Sequence, residues 1–227
     1  MATLTGSPQT TANEDRGFTN DAVWSTPNNA QSTDNNRAIA DVDNDDPSDY
    51  LNCTNFTNIT SPPAGNVIQR IIVRIERQSE STNCEDETVQ LMIESAGSPV
   101  RTGNNMADTV TEWPTSDTIA TYSFTPAQWG VSNATSILDS NFGVSIAANN
   151  NHASQNREAR IDHVEIEVEF VIDETGVTDT ITSSTTSTHD LSLSETGLSQ
   201  TAVSLHSVDD LFSGDDTGLT QTISLSL

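Results

Sequence analysis

The sequence predicts an all-β fold: an antiparallel two-sheet sandwich, jelly-roll-like, followed by a C-terminal arm of β-repeats. Three observations carry this expectation. Apolar and polar residues alternate in several short runs, which is the period of strands with one dry face. No segment sustains helical spacing. Turn-forming clusters (Ser61-Pro62-Pro63-Ala64-Gly65, Ser95-Ala96-Gly97-Ser98-Pro99 and Asn149-Asn150-Asn151) separate the runs, as they do where strands are joined by turns and loops.

Residues 1–45 are polar and poorly periodic, with Phe18, Val23 and Trp24 as the only strong anchors. In Val67–Arg77, alternation places Val67, Ile71, Val73 and Ile75 on one face and Arg70, Arg74 and Glu76 on the other. Thr88–Ile93 repeats the pattern with Val89, Leu91 and Ile93 inward, and Phe142–Ala147 is a further strand. In Val164–Phe170 every second residue is Glu. One side is dry and the other wet, the mark of a one-face-buried antiparallel strand. Residues 1–172 hold roughly eight to ten strands of ordinary length, enough for a sandwich with a real core.

The boundary falls near Asp173, so the expected domains are a sandwich over 1–172 and an arm over 173–227. Within the arm, Thr175-Gly176-Val177-Thr178-Asp179-Thr180, Thr196-Gly197-Leu198-Ser199-Gln200-Thr201 and Thr217-Gly218-Leu219-Thr220-Gln221-Thr222 recur every 21 residues. A short repeat cannot bury an apolar face alone and needs neighbouring copies or chains. Val177, Ile181, Leu191, Leu193, Leu198, Val203, Leu205, Leu211, Phe212, Leu219, Ile223, Leu225 and Leu227 are therefore the expected oligomer or attachment interface. Closed symmetry favours a trimer or a pentamer.

Of 227 residues, 33 are Asp or Glu and 8 are basic, all of them Arg, giving a formal charge of −25. Such a surface repels phosphate backbones and anionic lipid, so neither nucleic acid nor membrane is an expected partner. The acids are scattered, as in adaptation to molar salt, where a Debye length of roughly 3 Å screens self-repulsion. Retention of Arg without Lys fits the same pressure, because Arg still makes bidentate pairs. The source is expected to be a haloarchaeon or one of its viruses. No stretch is long and apolar enough to span a bilayer, and no signal peptide is expected at the N-terminus. Cys53 and Cys84 are either one disulfide or two buried thiols, without metal-ligand spacing.

Several phrases, read in order, form a set: Asp49-Tyr50-Leu51 leading to Thr54-Asn55-Phe56, Pro63-Ala64-Gly65 leading to Ile71–Arg77, and Trp113-Pro114 leading to Trp129-Gly130. It continues through Ser140-Asn141-Phe142-Gly143-Val144 and ends with Ala159-Arg160-Ile161-Asp162-His163-Val164. This ordered set, over roughly residues 20–170, resembles a β-sandwich domain of virion structural proteins in tailed phages and haloarchaeal tailed viruses. The resemblance implies a non-enzymatic protein at the virion surface, on head or tail, with no catalytic residues to carry over. A capsid decoration or turret component is the first expectation. The alternative is a receptor- or glycan-binding module of a tail fibre or baseplate. Other virion proteins, the major capsid protein foremost, are the expected hetero-partners, with a host-surface glycan on the alternative reading.

Other constellations are weaker. Asp41-Val42-Asp43-Asn44-Asp45-Asp46 with Asp49 gathers carboxylates of the kind calcium takes, though an EF-hand would need Gly at Asp46 and Glu at Asn52. Otherwise no cofactor is expected. Asn52, Asn55, Asn58 and Asn133 open glycan-acceptor patterns, three of them stacked where glycans would collide with the sheet. His152, His163, His189 and His206 read as surface or interface residues; His163 and Asp162, adjacent in a strand, would point to opposite faces. Trp24, Trp113 and Trp129 are the side chains able to stack on sugars, and otherwise pack.

Overall fold

The computed structural model describes residues 2–17, 19–43, 46–61, 66–129, 134–152 and 155–172. The chain divides into two units, Met1–Asp173 and Glu174–Leu227. The second unit lies outside the described residues, and with it every arm residue named above from Val177 to Leu227.

Ten strands are described: β1 (Ala2–Gly6), β2 (Pro8–Glu14), β3 (Ala38–Val42), β4 (Tyr50–Phe56), β5 (Asn66–Ser79), β6 (Cys84–Ser95), β7 (Ser98–Thr102), β8 (Thr118–Phe124), β9 (Gly143–Asn150) and β10 (Arg157–Ile172). Among the described residues helix is confined to 3-10 turns at Pro27–Ala30 and Ala134–Leu138 and one α-turn at Pro126–Trp129. The strands form two antiparallel sheets, one ordered β1-β10-β5-β8 and the other β2-β4-β9-β6-β7. The 16-residue β10 is long enough to carry both β1, at Ile166–Phe170, and β3, at Arg157–Ile161, on the side away from β5.

The pairing is nested. β3 meets β10, β4 meets β9, β5 meets β8 and β6 meets β7. The chain runs out through β3–β6 and returns through β7–β10, and successive rungs fall alternately in the two sheets. β1 and β2 are added outside this frame.

Alternation selects the core. Val164, Ile166, Val168 and Phe170 of β10 and Ile71, Val73 and Ile75 of β5 are wholly buried, as are Leu51, Val89, Leu91, Val144 and Ile146 of the second sheet. Each such side chain contributes about 1.5–3 kcal/mol of burial. On the outer face, Arg74 pairs with Glu165 and Glu167 (both 2.8 Å), and Arg70 with Glu169 (2.7 Å).

One expectation about which way a residue faces is corrected by a bulge. Arg70 pairs with Glu169 but Ile68 with Phe170, so Gln69 is an extra residue in β5. The phase flips there: Ile68 is buried and Val67 is 42% exposed. In β6 the register jumps between Asp86 and Thr88, which brings Cys84 and Asp86 to the same inner face as Val89 and Leu91. Ile93 is only partly buried. Near the N-terminus Trp24 is buried, but Val23 is 62% exposed and anchors nothing; Phe18 lies outside the described residues. Cys53 and Cys84 are free, buried thiols. Burial raises both, Cys84 to about 12.

Gly143 opens β9 opposite Thr54, where an added Cβ would sit 1.9 Å from the Cys53 carbonyl oxygen. Gly143→Ala should therefore cost about 1–3 kcal/mol in urea unfolding, an overpacking penalty set by backbone that cannot yield. The outer-face pairs make a second prediction. The Arg70 guanidinium holds the Glu169 carboxyl below its ordinary 4.5. Stability from this pair is present above the ordinary value and lost as pH falls through the lower folded one. Glu169→Gln should flatten the acid limb of the stability–pH curve, read from unfolding midpoints in acid buffers.

Candidate functional site

Alternation that buries Ile71, Val73 and Ile75 carries on to Arg77, whose side chain is only 7% exposed. Across the sandwich, the bulge in β6 turns Asp86 inward with a fully buried carboxylate. The two form an ion pair joining one sheet to the other. Trp113 Nε1–H donates to Asp86 Oδ1 (2.8 Å); the Tyr122 hydroxyl (2.7 Å) and the Asp108 amide (2.9 Å) donate to Oδ2. Arg77 also lies over the Trp113 and Tyr122 rings, 4.8 and 5.7 Å from their centroids. Burial pushes the Tyr122 phenol up to about 12, against the pull of Arg77, so it remains a donor across the physiological range. Burial also lowers the Arg77 guanidinium from its usual value.

The loop after β7 is strapped over this cluster. Its Met106 amide donates to the Val89 carbonyl (2.8 Å), its Trp113 amide to the Cys84 carbonyl (2.6 Å), and the Ser79 amide to its Pro114 carbonyl (2.8 Å). Between loop and β8 runs a cleft of about 400 Å³ lined by Arg77, Met106, Asp108 and the consecutive residues Ala120, Thr121, Tyr122 and Ser123. Successive strand residues point to opposite faces, so a wall of four in a row is the edge of the strand itself.

The chain matches no protein-family model and no curated protein. The site is therefore read from its own chemistry. The Asp86 oxygens accept from the indole of Trp113, the hydroxyl of Tyr122 and the Asp108 amide, which makes this carboxylate a clamp between the sheets.

The remaining candidates are dispersed. Asp41 and Asp43 are exposed, Asp46 is half-buried and residues 44 and 45 lie outside the described residues. Asp49 turns inward, away from its own loop, and accepts from Asn13 Nδ2 (2.7 Å) and the Arg16 amide (3.1 Å). Its carboxylate neighbours are Asp15 and Asp21, the three offering oxygens within 4.8 Å of one another. Three carboxylates are about half of the six to eight oxygens calcium takes. His163 Nε2 meets Ser7 Oγ at 2.9 Å, but among the described residues no carboxylate is bonded to its ring, so the orienting member of a hydrolytic triad is missing there. Register slips between Ile161 and His163, which leaves the bulged Asp162 buried. Trp24, Trp113 and Trp129 are 1%, 1% and 7% exposed, and none offers a ring face to a sugar. Asn52 is buried in β4, out of reach of modification. His189 and His206 lie outside the described residues.

Sequence reasoning stopped short of Arg77, Asp86 and Tyr122. Extending the β5 alternation by one step finds Arg77; nothing in the sequence separates Asp86 from the other acids.

Asp86→Ala should cost about 3–5 kcal/mol by leaving Arg77 buried without its partner. Adding Arg77→Met should recover little, because Trp113, Tyr122 and the Asp108 amide would still lack an acceptor at about 1–3 kcal/mol each. Urea unfolding of the single and double variants measures the difference; full recovery would mean the ion pair alone mattered.

Proposed function

We propose that the body is a jelly roll and that the protein is a non-enzymatic structural component of a halophilic tailed virus, displayed on the capsid as a decoration or turret. The observation that carries this reading is the nested pairing of β3–β6 with β7–β10 across two sheets. Double-sheet jelly rolls recur in viral capsid and lectin domains. Fold alone does not fix function, so composition and the arm supply the rest. A charge of −25 without Lys suits molar salt, and an arm built of strand-like repeats suits attachment to copies of itself and to the shell protein. The three indoles, the side chains able to stack on a sugar, are all buried, so a glycan-binding alternative would have to act through the sandwich loops.

Removing residues 173–227 should leave a folded, monomeric sandwich that no longer incorporates into particles, measured by light scattering in molar salt and by particle composition. Retention of the oligomer after truncation would defeat the assignment. A copy number per particle of the same order as the shell protein places it on the head; a far smaller one places it on the tail.

A further inference from the structure

We propose that the cleft between β8 and the loop after β7 binds a neutral sugar, held through its ring hydroxyls. This site goes beyond the attachment reading and does not depend on the arm. At about 400 Å³ the cleft falls within the range that small-molecule sites span. Its walls are fixed before any ligand arrives, which lowers the cost of binding. The Met106 amide is bonded to the Val89 carbonyl and the Asp108 amide to the Asp86 carboxylate, so both loop residues are pinned to β6. Opposite them, β8 is held by its pairing with β5.

One side of the cleft is rich in donors. A guanidinium has five N–H groups. Arg77, only 7% exposed, commits its own to one ion pair with Asp86 and to no other acceptor among the described residues. The Trp113 and Tyr122 rings beneath it keep the group in place. The Asp108 carboxylate lines the same cleft. Bonds from the Thr111 side chain and amide hold it below the usual carboxylate range, so it is an acceptor at neutral pH. Arg77 and Asp108 feel one another's charge but are not bonded to each other. On β8, Thr121 is exposed and Ser123 half-buried. Neither hydroxyl has a hydrogen-bond partner among the described residues.

These groups select a ligand class. Asp86 already neutralises Arg77, Asp108 is ionised and the chain carries a charge of −25, so a phosphate or carboxylate ligand is repelled. A simple cation would face Asp108 alone, with Arg77 opposing it. A ligand that bridges the two must accept from the guanidinium and donate to the carboxylate at once. A hydroxyl does both, and a sugar ring carries several on neighbouring carbons. Thr121 and Ser123 add further hydroxyls along β8, and Met106 gives an apolar wall for the C–H face of the ring. The mode is hydrogen bonding and needs no exposed indole.

The test titrates the full-length chain in molar salt with glucose, galactose, mannose and N-acetylglucosamine. Glucuronate and inorganic phosphate serve as charged comparators, and backbone amide shifts are followed by NMR. At least one neutral sugar should shift the amides of Met106, Asp108 and Ala120–Ser123 together. Arg77 is left intact, because removing it would leave Asp86 unpaired. Asp108→Asn and Thr121→Val each change one contact instead. Val suits a strand, and the Asp108 group that seats the loop is its main-chain amide. Asp108→Asn should weaken binding at least about tenfold, the size of a hydrogen bond to a charged group, and Thr121→Val should weaken it less. Both should leave the melting temperature unchanged. The inference falls if none of the four sugars binds at large excess, if the shifts lie elsewhere on the body, or if neither variant weakens binding. Preferential uptake of glucuronate or phosphate overturns the neutral class. None of these outcomes bears on incorporation into particles, which the truncation above tests separately.

Discussion

A single buried carboxylate ties the two sheets together at one end of the sandwich. Asp86 pairs with Arg77 and accepts from the Trp113 indole, the Tyr122 hydroxyl and the Asp108 amide. The indole donates to Oδ1, beside Arg77, and the hydroxyl and the amide donate to Oδ2. The donors come from β5, β8 and the loop after β7, so one side chain fixes the separation of the sheets, the seat of the loop and the position of β8. A network of this kind is worth having only when complete. In a low-dielectric interior each orphaned member costs more than the apolar residue that might replace it.

How legible this was depends on where alternation holds. Val164–Phe170 could be read directly, because Glu at every second position leaves one arrangement that buries Val, Ile and Phe. β5 was legible from Ile71 to Ile75 but not at Val67, since a bulge at Gln69 reverses the phase and no local residue type announces it. In β6 a second bulge, between Asp86 and Thr88, lies just outside the stretch in which alternation could be read. β1, β2, β3, β7 and β8 were missed: they lie at sheet margins and need little periodicity to pair. Asp86 was illegible for a different reason. Among 33 acids in the sequence, a buried one carries no compositional mark, and only the partners brought by other strands distinguish it.

Arginine usage follows from the same geometry. Arg16, Arg37, Arg70, Arg74, Arg77, Arg101 and Arg160 all form ion pairs with Asp or Glu. Arg101 and Arg16 additionally lie over the Tyr50 ring, 3.7 and 4.8 Å from its centroid. A planar guanidinium can donate in a fork and stack at once, which an ammonium cannot. In a chain with few cations, each is placed where several contacts depend on it, and the outer faces of both sheets are held by such placements.

The nested pairing also decides what is left open. Rolling the out-and-back chain puts β3 and β4 at one side of the sandwich and β8 and β7 at the other. The N-terminal segment finishes the first side, β1 lying beside β3 along β10 and β2 lying on β4. Nothing among the described residues does the same for β8. β7 is guarded by its proline and arginine, whereas β8 lies in a stretch, Thr118–Leu138, with no acidic, basic or histidine residue. In so acidic a chain, one Asp or Glu there would have been the simplest protection against unwanted pairing.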